Sequence, residues 1–340
     1  MRSIITNTLI QVSQYSGNFI GKTVWQIKVK ELLATAITSF VLMGCEAPLN
    51  LEGVENELSK SVRRTDQLQA VALSQGVVTV VGSDGLVLTS ASNELNWQRQ
   101  VLAERPNFVD IDTCSDGSMI ALSMEHSVWL STDQGQSWNK KDIPSQESLI
   151  SLTCGPDNSY WVTGSFSTLI SSKDQGQSWQ ETTLNEDALI TQVQFLSADE
   201  LIATGEFGLV ARSIDGGQNW SVQTPIPNEF FPLGSHFSDA STGWVAGLGG
   251  IILNTTDGGE NWTTQSTPTE SPLYGFYSND NQLFAFGDHG TVLKLNGSGW
   301  ERLNSPSIPV YLRDGTQISD SQLIVAGGWG SLFTVDLQQL

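Results

Sequence analysis

Few side chains in this sequence have the type and spacing that chemistry requires. The three histidines, His126, His236 and His289, lie in different parts of the chain and do not form a metal-site pattern. Asp110 and Asp112 are paired carboxylates, which glycosidases use as acid and base. They alternate at a predicted strand end, so we interpret them as a solvated turn and the histidines as exposed turn residues. The sequence therefore predicts no catalytic residue, no metal site and no cofactor.

The chain is strongly acidic, with 36 Asp and Glu residues against 16 Lys and Arg residues and a formal net charge of −20. An acidic surface repels phosphate backbones, so nucleic acid is not an expected partner. The composition also includes 32 glycines and 11 tryptophans. This profile favours many short strands that are joined by tight turns.

The N-terminus has the pattern of a lipoprotein signal peptide. Residues 32–44 form an apolar run after Lys28 and Lys30, and the run is too short for a stable transmembrane span. It ends in Leu-Met-Gly-Cys, which resembles a bacterial lipobox in which Cys45 takes the lipid. The alternative is that Cys45 is an ordinary core cysteine.

This pattern predicts the domain organisation. We expect residues 1–44 to be a signal peptide, residues 45–56 to be the lipidated cysteine with a short acidic tether, and residues 57–340 to be the folded domain. The protein is then expected outside the cytoplasm as a membrane-anchored lipoprotein. It would lie on the periplasmic side, or in the thylakoid lumen if the source is cyanobacterial.

Tryptophans recur about every 41 residues, at positions 97, 138, 179, 220, 262 and 300. Such a period is the signature of a repeat architecture. Four of these tryptophans close an octet of the form S/T-x-D-x-G-x-x-W, the Asp box. Its aspartate, glycine and tryptophan are Asp133, Gly135 and Trp138, then Asp174, Gly176 and Trp179, then Asp215, Gly217 and Trp220, and finally Asp257, Gly259 and Trp262.

The chemistry of the Asp box indicates a structural role. Its Asp and Ser/Thr side chains can accept hydrogen bonds from nearby backbone N–H groups and close a tight turn. Its glycine supplies a positive φ, and its tryptophan buries a large ring against a neighbouring repeat. Because folding explains every part of the octet, we expect neither calcium binding nor catalysis there.

A second pattern, an apolar strand that ends in Gly-x-x-Gly or a near version of it, precedes the box in most repeats. Two apolar runs joined by a short glycine turn indicate a β-hairpin. Each repeat thus offers three strands, the Asp-box turn and a fourth strand, which together describe one propeller blade. There are seven such hairpins. We predict an all-β fold, a seven-bladed β-propeller of four-stranded antiparallel blades with Asp-box turns.

The seventh repeat stops after three strands and has neither a box nor its tryptophan. A ring must be closed, because an open sheet edge is a liability. We therefore expect residues 57–64 to enter the last blade as its outer strand and to complete a monomeric ring.

Cys114 and Cys154 lie at matching points of adjacent repeats. Export makes a disulfide chemically possible, and bridging requires Cα atoms within about 7 Å. Matching positions in neighbouring blades are expected to be farther apart than that. We therefore favour two buried thiols, and a disulfide stays open as the alternative.

The Gly-x-x-Gly hairpin followed by S/T-x-D-G-G-x-x-W resembles the photosystem II stability/assembly factor family, over residues 60–340. The resemblance implies a seven-bladed lumenal propeller that is exported, often lipidated, and not an enzyme. It also implies a scaffold that holds a newly made membrane subunit while its partners are added. Relatives of the family occur in bacteria without photosynthesis.

The chain departs from the family in its arginines. Family members that serve photosystem assembly carry an arginine-rich patch, whereas only Arg63 and Arg64 are adjacent here. After residue 45 the arginines are Arg63, Arg64, Arg99, Arg105, Arg212, Arg302 and Arg313. We therefore expect a non-photosynthetic relative that aids assembly or stability of a membrane or envelope complex. A true photosystem II assembly factor is one alternative.

A glycan-binding or sialidase-like propeller is the other alternative, since Asp boxes occur in sialidases. A sialidase requires an arginine triad and a Tyr/Glu nucleophile pair, and usually shows Arg-Ile-Pro in its first blade. This sequence has no Arg-Ile-Pro, and its short, even repeats leave no long insertion that could form a substrate pocket.

The partner is expected on one face of the ring. Because strands alternate in direction, all glycine-hairpin tips fall on one face and the Asp boxes on the other. Exposed aromatic side chains among carboxylates are typical of protein-recognition surfaces. The candidate residues at these tips are Asp84, Phe166, Phe207, Asp288, His289 and Trp329. The alternative is that these are ordinary turn residues, with the phenylalanines folded back onto the channel rim.

Overall fold

The computed structural model describes residues 50–279 and 282–338. The chain divides into two compact units, one that ends at Asn56 and one that spans Glu57–Leu340. A short helix, α1 (Glu52–Leu58), precedes the strands. Within the described residues, no helix has the length and apolar character needed to cross a membrane. The predicted signal peptide and Cys45 lie outside the described residues.

Seven antiparallel sheets follow one another along the chain, and each is one blade. The first three blades are β1 (Leu68–Ser74), β2 (Val77–Gly82), β3 (Leu86–Ala91) and β4 (Gln98–Val101); β5 (Phe108–Thr113), β6 (Met119–Ser123), β7 (Ser127–Ser131) and β8 (Asn139–Asp142); and β9 (Leu149–Cys154), β10 (Tyr160–Gly164), β11 (Thr168–Ser172) and β12 (Gln180–Thr183).

The remaining blades repeat the arrangement. They are β13 (Ile190–Phe195), β14 (Leu201–Gly205), β15 (Val210–Ser213) and β16 (Ser221–Val222); β17 (Gly234–Phe237), β18 (Gly243–Ala246), β19 (Ile252–Thr255) and β20 (Thr263–Gln265); β21 (Leu273–Asn279), β22 (Gln282–Gly287), β23 (Val292–Asn296) and β24 (Gly299–Arg302); and β25 (Leu312–Ser319), β26 (Gln322–Gly327) and β27 (Leu332–Asp336). The predicted seven-bladed propeller is confirmed.

The first strand of every blade faces the ring axis. These inner strands contact one another in sequence, and β25 contacts β1, so the ring is closed. Apolar side chains fill the spaces between blades. Phe108 and Trp129 of the second blade, for example, pack against Val81 and Val87 of the first. Burial between sheets explains why the second and third strands are the most apolar of each blade.

The first glycine of the Gly-x-x-Gly pattern serves close packing rather than the turn. It ends the second strand of its blade, beside the start of the inner strand. A Cβ atom on Gly205 would collide with the carbonyl oxygen of Leu189, and one on Gly287 would collide with that of Pro272. Only the second glycine of the pattern, such as Gly208 with φ 77°, requires a positive φ.

The predicted closing strand is wrong. The end of α1 and a series of turns occupy residues 57–64, and the part of the chain that the structure describes supplies three strands to the seventh blade. Asp66, two residues before β1, connects the first and seventh blades instead. Arg99 of the first blade makes two hydrogen bonds, of 2.8 and 3.0 Å, to the buried carboxylate of Asp66. The N–H of Gly330 in the seventh blade donates to the carbonyl oxygen of Asp66. A fourth strand is therefore not needed to join the two blades.

The expectation of two free thiols is also wrong, because Cys114 and Cys154 form a disulfide with a Cα–Cα distance of 5.2 Å. Cys154 ends inner strand β9, and Cys114 directly follows inner strand β5. Neighbouring blades approach most closely at their inner strands. The expectation was wrong because it did not consider that the distance between neighbouring blades decreases toward the ring axis.

Candidate functional site

The seven hairpins between the second and third strands lie on one face of the ring, which we call the hairpin face. The Asp boxes lie on the opposite face, the Asp-box face. At one matching position, which we call the tip, each hairpin has a residue in the left-handed region with φ between 51° and 64°. These tip residues are Asp84, His126, Phe166, Phe207, Gly249, His289 and Trp329.

Three tips carry an aromatic side chain that is mostly in solvent. Phe166, Phe207 and Trp329 are 58%, 60% and 61% exposed. The left-handed conformation costs a residue other than glycine about 1–2 kcal/mol, and the fifth blade has Gly249 there. Because these aromatic side chains are exposed, packing inside the propeller does not offset that conformational cost. The alternative of phenylalanines folded back onto the channel rim is therefore wrong.

Further apolar side chains extend this surface. Met124 and Leu248, next to the tips of the second and fifth blades, are 64% and 61% exposed. With Phe166 and Phe207 they place one exposed apolar side chain on each of four successive blades. We call these four residues the apolar arc. Sequence reasoning did not select Met124, since its hairpin lacks both glycines, although its neighbour His126 occupies the same tip position.

The charged candidates lie on the other side of the hairpin face. Asp84 pairs with Arg105, with Oδ2 and Nη1 2.6 Å apart. His289 lies beside Asp288 at 3.7 Å, and Arg302 donates to the carbonyl oxygen of His289 at 3.1 Å. Of the predicted face residues, the structure thus groups Phe166 and Phe207 in the apolar arc. It places the charged residues on the first and sixth blades, on either side of Trp329.

A cavity of about 350 Å³ lies on the ring axis and is lined by inner-strand residues, among them Asp110, Asp112 and Asp314. The interpretation of Asp110 and Asp112 as a solvated turn is wrong. Both are half-buried in the channel wall and accept backbone hydrogen bonds from the third blade, Asp110 from Leu152 at 2.7 Å and Asp112 from Cys154 at 2.8 Å. These carboxylates join inner strands across the gap between blades.

Burial governs the protonation of the channel carboxylates. It raises the pKa of Asp110 to about 7, against the hydrogen bond from Leu152 and with help from nearby Asp314. Burial likewise raises the pKa of Asp314 to about 6 and raises the pKa of Asp112. Gln192 and Gln194 make the same kind of bridge without a charge, to the N–H groups of the fifth blade at 2.9 Å.

The Asp boxes form closed turns. In the fourth blade the N–H of Gly217 donates to Ser213 Oγ at 2.9 Å, and Asn219 donates to both carboxylate oxygens of Asp215. The indole N–H of Trp220 donates to the carbonyl oxygen of Gly217. The hydrogen bonds from Asn219 lower the pKa of Asp215 to about 2. The carboxylate is thus committed to the turn, as the sequence predicted.

The histidines are not all exposed turn residues. His236 lies in β17 and stacks on Trp244, and burial lowers its pKa to about 4. His126 donates from Nε2 to the carbonyl oxygen of Glu147 at 2.8 Å, and His289 is exposed. Among the described residues, no group of His, Cys, Asp and Glu side chains has the arrangement of a metal site.

A family model described as Photosynthesis system II assembly factor YCF48 matches residues 131–229 and, in an overlapping match, residues 173–273. Among solved structures, YCF48 bound to D1 peptide is similar with a TM-score of 0.66 and 16% identity, over 82% of this chain and 94% of the other. YCF48 from Cyanidioschyzon merolae has a TM-score of 0.66 and 16% identity, over 80% and 96% of the two chains.

The fold is shared with an enzyme as well. A catalytically inactive virginiamycin B lyase from Staphylococcus aureus with quinupristin has a TM-score of 0.69 and 14% identity, over 81% of this chain and 96% of the other. At such identities a structural similarity shows the fold alone. No curated protein matched the chain by sequence. The family match and the fold together agree with the resemblance predicted from the Gly-x-x-Gly hairpins and Asp boxes.

Proposed function

We propose that this chain, a photosystem II assembly factor-like propeller, is a protein-binding scaffold that aids assembly or stability of a membrane or envelope complex. The match to the YCF48 model supports an assembly factor and does not favour a sialidase-like propeller. It also supports a protein that is not an enzyme, although virginiamycin B lyase has the same fold.

The observation that carries the proposal is the hairpin face. Phe166, Phe207 and Trp329 hold left-handed backbone conformations while most of each side chain is in solvent. Interfaces are enriched in aromatic anchors, and such anchors dominate binding energy when a partner buries them. A partner polypeptide would bury these aromatic side chains and gain the hydrophobic free energy that the propeller alone does not gain from them.

The photosystem II role is the second candidate. A YCF48 structure is described with D1 peptide bound, which supports a polypeptide ligand for this chain as well. The scattered arginines argue for another client. In favour of the photosystem, three of these arginines lie on the hairpin face. Arg302 of the sixth blade contacts His289, and Arg313 of the seventh lines the channel mouth. Arg105, in the loop between the first and second blades, pairs with Asp84.

We further propose that Cys45 carries a lipid that anchors the ring to a membrane outside the cytoplasm. The lipobox pattern supports this anchor. The Cys114–Cys154 disulfide supports an oxidising compartment, because disulfides are rare in the cytosol. Replacing Cys45 by Ser should release the protein from the membrane fraction, and unchanged membrane association would contradict the anchor.

The test of the scaffold is capture of a client from the native membrane. The tagged full chain is crosslinked in place, purified, and compared with Phe207→Ala/Trp329→Ala. Ile214→Ala is the matched control, since Ile214 is 76% exposed on the Asp-box face. We expect one membrane or envelope protein to be recovered by the native chain and the control but not by the double variant, at unchanged melting temperature.

The identity of the captured protein separates the candidates. Photosystem II reaction-centre precursors would assign the second candidate, and another membrane or envelope protein would assign the first. Equal capture by the hairpin-face variant would overturn the hairpin face as the binding site. Recovery of glycan fragments without a protein would overturn the scaffold.

A further inference from the structure

We infer that the apolar arc and its acidic surroundings bind a client segment that is both apolar and basic, an inference that rests on the proposed scaffold function. The arc consists of Met124, Phe166, Phe207 and Leu248. It selects a chemical class of partner because two independent features of the hairpin face, apolar exposure and charge, coincide on the second to fifth blades.

The apolar feature is continuous around this half of the ring. Each of the four blades contributes a side chain that is between 58% and 64% exposed. Ile251, beside the tip of the fifth blade, adds a fifth apolar side chain at 42%. Successive blades therefore offer contacts to a peptide that crosses several of them, with Phe166 and Phe207 as the central aromatic anchors.

Charged residues are also distributed unevenly over the hairpin face. The hairpins of the second to fifth blades, and the loops that follow these four blades, contain no Lys or Arg. The carboxylates there are Glu125, Glu147, Glu186, Asp187, Glu206, Glu229 and Glu270. Three of them accept hydrogen bonds from neutral groups: Glu125 from Asn107, Glu147 from Ser165 and Glu206 from the N–H of Leu189. Their negative charge is not neutralised by a cation of the hairpin face.

The rest of the hairpin face has a different character. Arg105 and Arg302, which lie between the sixth and second blades, contact Asp84 and the carbonyl oxygen of His289. Arg105 is the nearer of the two to the apolar arc, since Asn107 of its loop accepts a hydrogen bond from the N–H of Met124, but its charge is paired with Asp84. Arg302 lies in the sixth blade, away from the arc. The carboxylates around the arc therefore attract Lys and Arg.

Lys and Arg side chains suit the arc for a second reason. A cation over the face of an exposed phenylalanine gains electrostatic attraction to the ring, in addition to pairing with a nearby carboxylate. The same carboxylates repel an anionic lipid surface. The arc is therefore suited to a basic, apolar polypeptide segment rather than to a membrane surface.

The inference is tested with two synthetic peptides of equal length and identical aromatic and aliphatic residues. One carries Lys at every polar position and the other carries Glu. Binding to the full chain is measured by isothermal titration at low and high salt. We expect the Lys peptide to bind at least about tenfold more tightly than the Glu peptide, with an affinity that falls as salt rises.

Variants locate the binding. Phe166→Ala/Phe207→Ala should weaken the Lys peptide at least about tenfold, as for aromatic anchors elsewhere. Glu186→Gln/Glu229→Gln should weaken it severalfold and reduce the salt dependence, since both carboxylates are exposed. Ile214→Ala and Glu181→Gln, away from the hairpin face, are the controls and should leave the affinity unchanged. Equal binding of the two peptides, or equal loss in the control variants, would overturn the inference.

The result of the peptide-binding test can be distinguished from the result of the client-capture test. If Phe207 is required for client capture but the Lys peptide does not bind the arc, the scaffold stands and the inference fails. If neither holds, both fail. Binding of the full chain to phosphatidylglycerol vesicles that is lost in Phe166→Ala/Phe207→Ala would assign the arc to a lipid surface and overturn the polypeptide.

Discussion

The carboxylate of Asp314 in the seventh blade accepts a hydrogen bond from the backbone N–H of Val71 in the first blade, with 2.8 Å between Oδ2 and N. It thereby joins the last inner strand to the first. Within residues 50–279 and 282–338 the seventh blade has three strands, and none of these residues supplies an outer strand to it. The ring is closed near its axis by this bridge and farther out by the hydrogen bond from the N–H of Gly330 to the carbonyl oxygen of Asp66, whose carboxylate pairs with Arg99 within the first blade.

Removal of the Asp314 bridge should weaken the ring. Asp314→Ala leaves the N–H of Val71 without its acceptor, which costs about 1–3 kcal/mol for a buried donor. Asp314→Asn retains an acceptor and serves as the control. The free energies of unfolding of the Ala and Asn variants are compared with each other, because neither carries the carboxylate whose raised pKa makes the stability of the native protein depend on pH. Equal stability of the Ala and Asn variants would contradict the bridge.

Asp110→Asn should stabilise the protein at alkaline pH. Burial raises the pKa of Asp110 from 3.8 to about 7. Between these two pH values the folded state holds a proton on Asp110 that the unfolded chain has lost. This group therefore reduces the free energy of unfolding as pH rises through the window, and the reduction is complete above the folded pKa. Asparagine has no charge, and Gln192 shows that an amide can form such a bridge.

The measurement is the melting temperature of both proteins between pH 4.5 and pH 8.5. The difference, variant minus native, should increase with pH up to about 7 and then level off, where 7 is the folded pKa. The titration of His236 is common to both proteins and cancels. A difference that does not depend on pH would show that Asp110 is not held protonated by burial.

Loss of the disulfide should lower stability. Cys114 and Cys154 close a loop with a sequence separation of 40, and the chain-entropy estimate for such a loop is about 4 kcal/mol. Cys114→Ser/Cys154→Ser should therefore shift denaturant unfolding to a lower midpoint, as should reduction of the native protein. The double variant should no longer respond to reductant. A native protein that is equally stable with and without reductant would contradict the disulfide.

Asp215→Ala should destabilise the fourth blade, because Asp215 accepts hydrogen bonds from Ser213 Oγ and from the N–H and side chain of Asn219. Ile214→Ala in the same turn is the control. Because the folded pKa of about 2 is below the ordinary 3.8, the contribution of Asp215 is present above the ordinary value and lost as pH falls through the folded pKa. The melting temperatures of variant and native protein should thus converge in acid, and a constant gap would contradict the assignment.

The sequence predicted the features that depend on local geometry. The spacing of Trp138, Trp179 and Trp220 reports the length of a blade, and the Asp box reports a turn whose partners lie within five residues of one another. Both could be derived from the chain alone. The tip aromatics Phe166 and Phe207 were found in the same way, from their position in the hairpin.

The features that depend on the distance from the ring axis could not be derived in this way. Asp110 has the sequence environment of a strand-end residue, and only the close approach of inner strands shows it as a bridge to Leu152. The same approach brings Cys114 within disulfide distance of Cys154. The closing contact between Asp66 and Gly330 was missed because these residues come from opposite ends of the propeller sequence and no periodic signal relates them.

The central claim is that the hairpin face binds a polypeptide client, and site-specific photo-crosslinking tests it most directly. A photo-crosslinking amino acid replaces Phe207 in one full-length protein and Ile214 in another, and each is irradiated in the native membrane. The account predicts one discrete protein adduct from position 207 and none from position 214, which lies on the Asp-box face. Adducts of equal yield from both positions, or an adduct from position 214 alone, would contradict it.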